Sequence, residues 1–409
     1  MNFLIVNQPT GNRGDEAAHR ALVRALSARF PEAVIRIVFM GVGQASFEGL
    51  QVHAPNVVYE NVPIRHIQKF AKWAFLFRFR WLLTHFRSGY RLLRKRIREA
   101  DWVISAPSGI CLGPFRSWYM LLVDWMVVQE KKPFAYYSPS FGPEPEGQKG
   151  DRLFWRECVK MLKRFDFLSI RDAKTMTFAD GLGLRYVPAI DTAFLDAPAE
   201  PIPQEVAAKL GDKYVVFVPN SLTWHVAYHH ASQEDIDVFY FHIMDLLAKR
   251  YPTAKIVLLP QLYGRVNGGD HGYFLRLRER YAHPERIEVL PDTLTSDIQQ
   301  AIIAKAQLVV GARYHSIVFA INNAVPFCAL SYEHKMQGLL KSLGAEDCML
   351  DIQQLGMAPD STSKLLEDFG ILLGTGHADP SHLQSEASCM AVNCFASFSK
   401  SLGANGRNR

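Results

Sequence analysis

Short apolar runs recur along the chain, each closed by glycine, proline or a hydroxyl residue and followed by a stretch with helical spacing. In the first half, residues 3–6, 34–39, 102–105, 134–137 and 167–170 read as strands. Helical patterns over 16–29, 118–129 and 152–164 separate them. A polar, proline-containing stretch at 196–211 breaks the rhythm and reads as a linker. A second series then begins, with strands predicted at 214–218, 255–259, 287–290, 308–310 and 326–330. Helices are predicted at 235–249, 270–281, 297–305, 314–323 and 334–343, Ser296 or Asp297 capping the third. Two further helices follow at 362–373 and 380–400, and residues 401–409 read as a frayed tail. Alternation of this kind gives parallel sheets covered by helices on both faces. The predicted fold is α/β, with two Rossmann-like domains facing a cleft, at 1–196 and 212–360. The helices at 361–400 are placed to pack back on the first domain.

A length of 409 residues suits two cores better than one. With 48% hydrophobic and 21% charged residues, the chain reads as globular and ordered. No signal peptide and no run of about 18 apolar residues is visible, which points to a cytoplasmic protein without a spanning helix. The six cysteines form no CxxC pair and read as reduced thiols, so neither disulfides nor a metal site is expected. The histidines near Trp224 (His225, His229, His230) fit no zinc spacing.

Charge is unevenly placed. Residues 64–98 carry eleven Lys and Arg, no acid, and seven Trp and Phe, so the remainder of the chain is net acidic. Basic and aromatic residues on a helical stretch suggest contact with an anionic membrane surface, notably through Arg94, Lys95, Arg96 and Arg98. The alternative is a core-packed helix with a solvated basic face. Nothing accompanies the charge that would read nucleic acid.

Candidate chemistry falls at the strand ends. Gly14 and Asp15 lie in a loop after the first strand, where Asp15 could cap the next helix or face a ligand. Ser108 lies in a small-residue loop after residues 102–105, and Ser140 in a similar one after the next strand. Arg171 and Asp172 end a strand and open a helix. They could bind an anion and move a proton, or simply pair and cap. In the second series Asn220, Gln261 and Asp270 follow strands. The densest signal is Gly311-Ala312-Arg313-Tyr314-His315-Ser316, followed by Lys335. A strand, a glycine break and a helix start gather N–H groups around one point. A guanidinium and an imidazole there suit a small anion with acid–base chemistry beside it.

Taken in order, Gly14-Asp15-Glu16, Ser140-Phe141-Gly142-Pro143, Ser169-Ile170-Arg171-Asp172 with Asp191, Leu259-Pro260-Gln261 with Asp270, and the Arg313–His315 element with Pro326, Tyr332 and Lys335 resemble the polysaccharide pyruvyl transferase family. The resemblance spans about residues 1–345. It departs from many relatives at Ala106-Pro107-Ser108-Gly109 and at Asn220-Ser221. It implies a glycosyltransferase-B-like fold and an enzyme without a cofactor. Such an enzyme moves the enolpyruvyl group of phosphoenolpyruvate onto two hydroxyls of a sugar, forming a ketal and releasing phosphate. The acceptor would be a cell-surface exopolysaccharide or its lipid-linked precursor. The second domain would hold phosphoenolpyruvate and the first the acceptor. Arg313, Lys335, Arg171, Asn220, Gln261, Ser316, Gly14 and Ser108 become expected substrate contacts. His315, Asp15 and Asp172 become expected proton carriers. Two rivals stand beside this reading. One is a nucleotide-sugar glycosyltransferase of the same fold. The other is a non-catalytic glycan-binding protein at the membrane surface.

Overall fold

A computed structural model describes residues 1–41, 49–64, 66–109, 111–198, 200–225, 228–263, 269–358, 360–375 and 378–405. Arg65 of the basic segment and the last four residues of the expected tail, 406–409, lie outside them. The chain divides into two compact units. The first comprises Met1–Thr10, Asp15–Asp196 and Met390–Arg409, and the second Gly11–Gly14 and Ala197–Cys389.

Among the described residues, the first unit holds a seven-stranded sheet ordered β3-β2-β1-β4-β5-β6-β7. Its strands are β1 (Asn2–Val6), β2 (Val34–Met40), β3 (Val57–Val62), β4 (Trp102–Ser105), β5 (Phe134–Tyr136), β6 (Phe167–Ile170) and β7 (Val187–Pro188). The second unit holds a six-stranded sheet ordered β10-β9-β8-β11-β12-β13. Its strands are β8 (Tyr214–Val218), β9 (Lys255–Leu258), β10 (Ile287–Val289), β11 (Val309–Gly311), β12 (Phe327–Ser331) and β13 (Met349–Asp351). All pairings in both sheets are parallel. Parallel strands covered on both faces are apolar throughout, and β8 and β12 are buried at every position. In each sheet the strand order reverses once, between β1 and β4 and between β8 and β11. Ligands bind outside strand ends at such points.

Three strands escaped the sequence pattern. β3 is partly exposed, β7 has two residues and β13 three. The stretch 196–211 is not all linker, because Gln204–Leu210 forms a helix that buries Val206 and Leu210. Thr295, not Ser296 or Asp297, caps the helix Ser296–Ile303 by accepting from Ile298 N–H. The final helix, Pro380–Asn405, continues through Ser401 instead of fraying there. Its Phe398 is fully buried among Trp102, Tyr137 and Phe167, with ring centroids 5.1–6.0 Å away. Burial of that ring contributes roughly 1.5–3 kcal/mol to the first unit.

The basic segment is three helices, Ile67–Leu76, Arg80–Phe86 and Ser88–Glu99. Their inner faces (Ala71, Ala74, Phe75, Leu83, Leu93, Ile97) join a core with Trp118, Leu121 and Leu122. The expected free basic run is largely paired. Arg94 and Arg98 meet Glu130, Arg96 meets Glu60 and Glu99, and Lys95 lies 3.9 Å from Glu99. The acids come from outside the segment, which is why its sequence alone looked uncompensated. Four of the six cysteines (Cys158, Cys328, Cys348, Cys394) are buried and no disulfide joins any of the six. Among the described residues no helix is long and apolar enough to cross a membrane.

Candidate active site

At the reversal point of the second sheet, Gly311 pairs with Val218 on one side and Ala329 on the other. The chain leaves β11 through Ala312, whose N–H donates to Val218 O at 2.9 Å. Arg313 follows as the N-cap of the helix Tyr314–Asn322. Its guanidinium donates to Asp270 Oδ1. The other oxygen of Asp270 accepts from the N–H groups of Gln261 (3.1 Å) and Leu262 (2.9 Å). One carboxylate therefore ties the end of β9 to the arginine at the end of β11. Burial works against the charge on Arg313, but Asp270, with Tyr332 and Tyr240 adding, outweighs it and the pKa is raised. Arg313 Nε has no hydrogen-bond partner among the described residues.

His315 sits two residues on, 8% exposed, edge-on to Tyr314 with ring centroids 4.9 Å apart. Its neighbour is the Gly11–Gly14 loop. That loop is stitched to the end of β9: Arg13 N–H donates to Gln261 O (2.9 Å) and Tyr263 N–H to Gly11 O (3.1 Å). The Arg13 guanidinium stacks 3.8 Å from the Tyr263 ring and donates to Asp292 O at 2.6 Å. Gly11 turns the loop with φ +93°, a region only glycine enters readily. Gly14 then lies against the imidazole so closely that a methyl group there would fall 1.8 Å from His315 Nδ1. Only glycine fits. The helix Arg13–Arg29 opens with Asn12 Oδ1 accepting from Gly14 N–H, so Asn12 takes the capping place expected of Asp15.

Other expected contacts divide. Asn220 and Gln261 are buried at the ends of β8 and β9, and Asn220 Nδ2 and Gln261 Nε2 have no hydrogen-bond partner among the described residues. Both amides can donate to a ligand. Lys335 is half-buried in the first turn of the helix His334–Ser342. Ser316 is a correction. Its hydroxyl is buried and donates to Arg313 O at 2.5 Å, in a space kept by Gly311, where a methyl group would fall 2.0 Å from it. It shapes the helix start and is not exposed to a ligand.

One group was undervalued. His225 and Trp224, after β8, pack against Tyr332 after β12, with ring centroids 5.4 and 6.3 Å away. Trp224 Nε1 donates to Asn220 Oδ1 at 3.1 Å. The His225 pKa is lowered by burial, with Glu333 opposing and Lys335 and His229 adding to the shift. The dipeptide was visible only as part of a histidine cluster. The cluster disperses, since His230 Nε2 bonds Leu355 O at 2.9 Å. Among the described residues no His, Cys, Asp or Glu cluster is arranged to hold a metal ion.

In the first unit the expected residues are committed elsewhere. Arg171 donates to Asp191 Oδ2 (2.5 Å), Ser108 O (3.3 Å) and Ser140 Oγ (3.3 Å). Asp172 caps the helix Ala173–Gly181, accepting from Thr175 N–H, Thr175 Oγ1 and Ser140 Oγ at 2.7–2.8 Å. The Ser108 hydroxyl lies 2.9 Å from the Tyr136 hydroxyl. These groups hold three loops together, and Asp172 is placed as a cap rather than a proton carrier. Asp15 is half-buried in the first helical turn. The Tyr119 phenol is pushed up chiefly by burial, with Cys111 and then Asp15 adding to it. Open cavities of about 660 and 610 Å³ lie in the first unit beside Asn61–Lys69 and Gln51–Tyr59, apart from every expected contact.

Two all-parallel sheets, each with one order reversal, define a glycosyltransferase-B-like fold. Similar solved structures include the UDP-GlcNAc 2-epimerase of Methanocaldococcus jannaschii (12% identity, TM-score 0.58, 97% of this chain and 100% of that one). The Neisseria meningitidis UDP-GlcNAc 2-epimerase bound to UDP-GlcNAc is comparable (11%, 0.57, 97% and 100%). So is the α,α-trehalose 6-phosphate synthase of Burkholderia multivorans (12%, 0.53, 99% and 98%). At such identities the likeness concerns fold alone. The family model for polysaccharide pyruvyl transferase matches residues 12–334, and the chain belongs to that family. The amylovoran biosynthesis protein AmsJ of Erwinia amylovora is 21% identical over 386 residues, 87% of this chain and 89% of that protein.

Proposed function

We propose that this enzyme transfers the enolpyruvyl group of phosphoenolpyruvate to two hydroxyls of a sugar in an exopolysaccharide or its lipid-linked precursor. The family and the relative named for amylovoran biosynthesis support the polysaccharide role. The observation that carries the donor is the grouping of Arg313, His315, Asn220 Nδ2 and Gln261 Nε2 around the order reversal of the second sheet.

Phosphoenolpyruvate brings a phosphate and a carboxylate, and both need donors. The first turn of Tyr314–Asn322 offers N–H groups and the positive end of a helix. Arg313, held by Asp270, adds a fixed guanidinium, and Lys335 a second cation. In the reaction both sugar oxygens bond to the central carbon and the carbon–oxygen bond to phosphate breaks. One hydroxyl proton ends on the methylene, which becomes methyl, and the other leaves with phosphate. His315 is the group we assign to proton transfer, since an imidazole can both accept and donate a proton. The close seat of its ring against Gly14 supports that assignment, because it restricts the positions the imidazole can take.

The test is phosphate release from phosphoenolpyruvate with a glycan acceptor. Phosphate release that depends on acceptor, falling roughly 10²–10⁴-fold in a folded His315→Ala variant, supports the assignment. Hydrolysis of a nucleotide sugar, with phosphoenolpyruvate inert, would sink it in favour of a glycosyltransferase.

A further inference from the structure

The helices Ile67–Leu76 and Arg80–Phe86 turn one face to the core and leave the other uncovered. Ala71, Ala74, Phe75 and Leu83 point inward, and Phe75 packs 5.6 Å from Trp118. Outward stand Trp73, Phe77, Trp81, Leu82 and Phe86, with Phe77 72% and Phe86 71% exposed. The other exposed large apolar residues, such as Met1, Phe115, Trp224 and Met357, are scattered along the chain. Single exposed apolar residues are ordinary, whereas a cluster of aromatics marks a contact surface.

The turn joining these helices is strained. Arg78 adopts φ +59°, which glycine would enter more readily, and Phe77 and Arg78 are both exposed there. Trp81, His85 and Phe86 group together, with rings 4.1 and 6.2 Å from Trp81. The exposed charges of the segment have one sign, while its half-buried Arg80 pairs with Glu157 at 2.9 Å. Lys69, Arg78, Arg87 and Arg91 are exposed, and residues 66–98 contain no acid. Lys69 lies 4.7 Å over the Trp73 ring and Arg87 3.8 Å over Phe70, so cations and rings share one surface. Further along Ser88–Glu99, beyond Arg91, the arginines differ: Arg94, Arg96 and Arg98 are paired with Glu130, Glu60 and Glu99.

We infer that this helix pair is a membrane anchor. Phe77, Trp81 and Phe86 enter the boundary between headgroups and acyl chains of an anionic bilayer, and Lys69, Arg78, Arg87 and Arg91 meet the phosphates. Trp and Phe favour that interface, and a basic rim selects anionic lipid. The assignment rests on the first unit alone and stands whatever chemistry occurs at His315.

Flotation of the full chain with vesicles tests it. The protein should partition onto 7:3 phosphatidylcholine:phosphatidylglycerol vesicles at least about tenfold more strongly than onto pure phosphatidylcholine, and lose this at high salt. Phe77→Ser with Trp81→Ser and Phe86→Ser should abolish partitioning with the melting temperature unchanged, since these rings are outside the core. At about a factor of five per basic residue, Lys69→Glu with Arg78→Glu should weaken binding roughly 25-fold or more. Arg98→Gln should leave it unaltered. Undiminished binding by the triple variant would overturn the inference. So would absence of vesicle binding combined with a wild-type dimer, seen by light scattering, that the triple variant dissolves. That result would assign the patch to a second copy of the chain.

Discussion

Arg171 and Arg313 stand in equivalent places, each just past a strand end, each paired with an acid distant in sequence, Asp191 20 positions on and Asp270 43 positions back. Their surroundings differ. Arg171, its side chain 4% exposed, has its donors spent on Asp191, Ser108 O and Ser140 Oγ. Arg313, 15% exposed, is held by Asp270 through one nitrogen, with Nε lacking a hydrogen-bond partner among the described residues. Around Arg171 the polar groups satisfy one another. Around Arg313 the amides of Asn220 and Gln261 still have donors to give. A closed network of buried charge fixes loops, and an unfinished one retains donors that a ligand, an ion or water can use.

The largest effect expected from this contrast is on stability. Arg171→Met leaves Asp191 buried beside no cation and should cost about 3–5 kcal/mol in urea unfolding. Arg313→Met should cost less stability, because Asp270 keeps two N–H donors. It should instead lower kcat/KM for phosphoenolpyruvate roughly 10²–10³-fold. A stable, inactive Arg171→Met would reverse the comparison. The next effect concerns the first unit's closed interior. His19 is fully buried, 3.1 Å from the Tyr59 hydroxyl, and burial, with Arg20 adding, lowers its pKa to about 3. The folded state therefore keeps it neutral. The stabilisation is complete above the ordinary value near 6.5 and is lost as pH falls toward 3. Between pH 6.5 and 5 the wild type should lose about 1.6 kcal/mol that His19→Gln does not; parallel pH curves would refute this. The smallest effect is at Gly14. Gly14→Ala must displace the His315 ring, and turnover should drop at least about tenfold with little change in melting temperature.

Much of the fold was legible because both sheets are parallel. Buried on two faces, β1, β4, β8 and β12 show as unbroken apolar runs. β3 and β13 are edge strands, and β3 carries Glu60 and Asn61 among its valines, so burial imprinted less on them. At the sites, residue types were readable and commitments were not. Arg171, Asp172 and Ser316 carry the same signature as Arg313, and only distances to Asp191, Thr175 and the Arg313 carbonyl separate them. The ion pairs of the basic helices were hidden for the same reason. Glu130 and Glu60 answer Arg94 and Arg96 across 36 positions of sequence.

The stitching of Gly11–Gly14 to the end of β9 has a practical corollary for anyone dissecting the protein. A fragment begun at Ala197 would contain nearly the whole six-stranded lobe yet lack the wall against which its imidazole rests. Four residues encoded almost two hundred positions upstream finish that lobe. A short amino-terminal peptide supplied in trans, or a circular permutant that restores the splice, would be needed before the excised piece could present the surroundings of His315 intact.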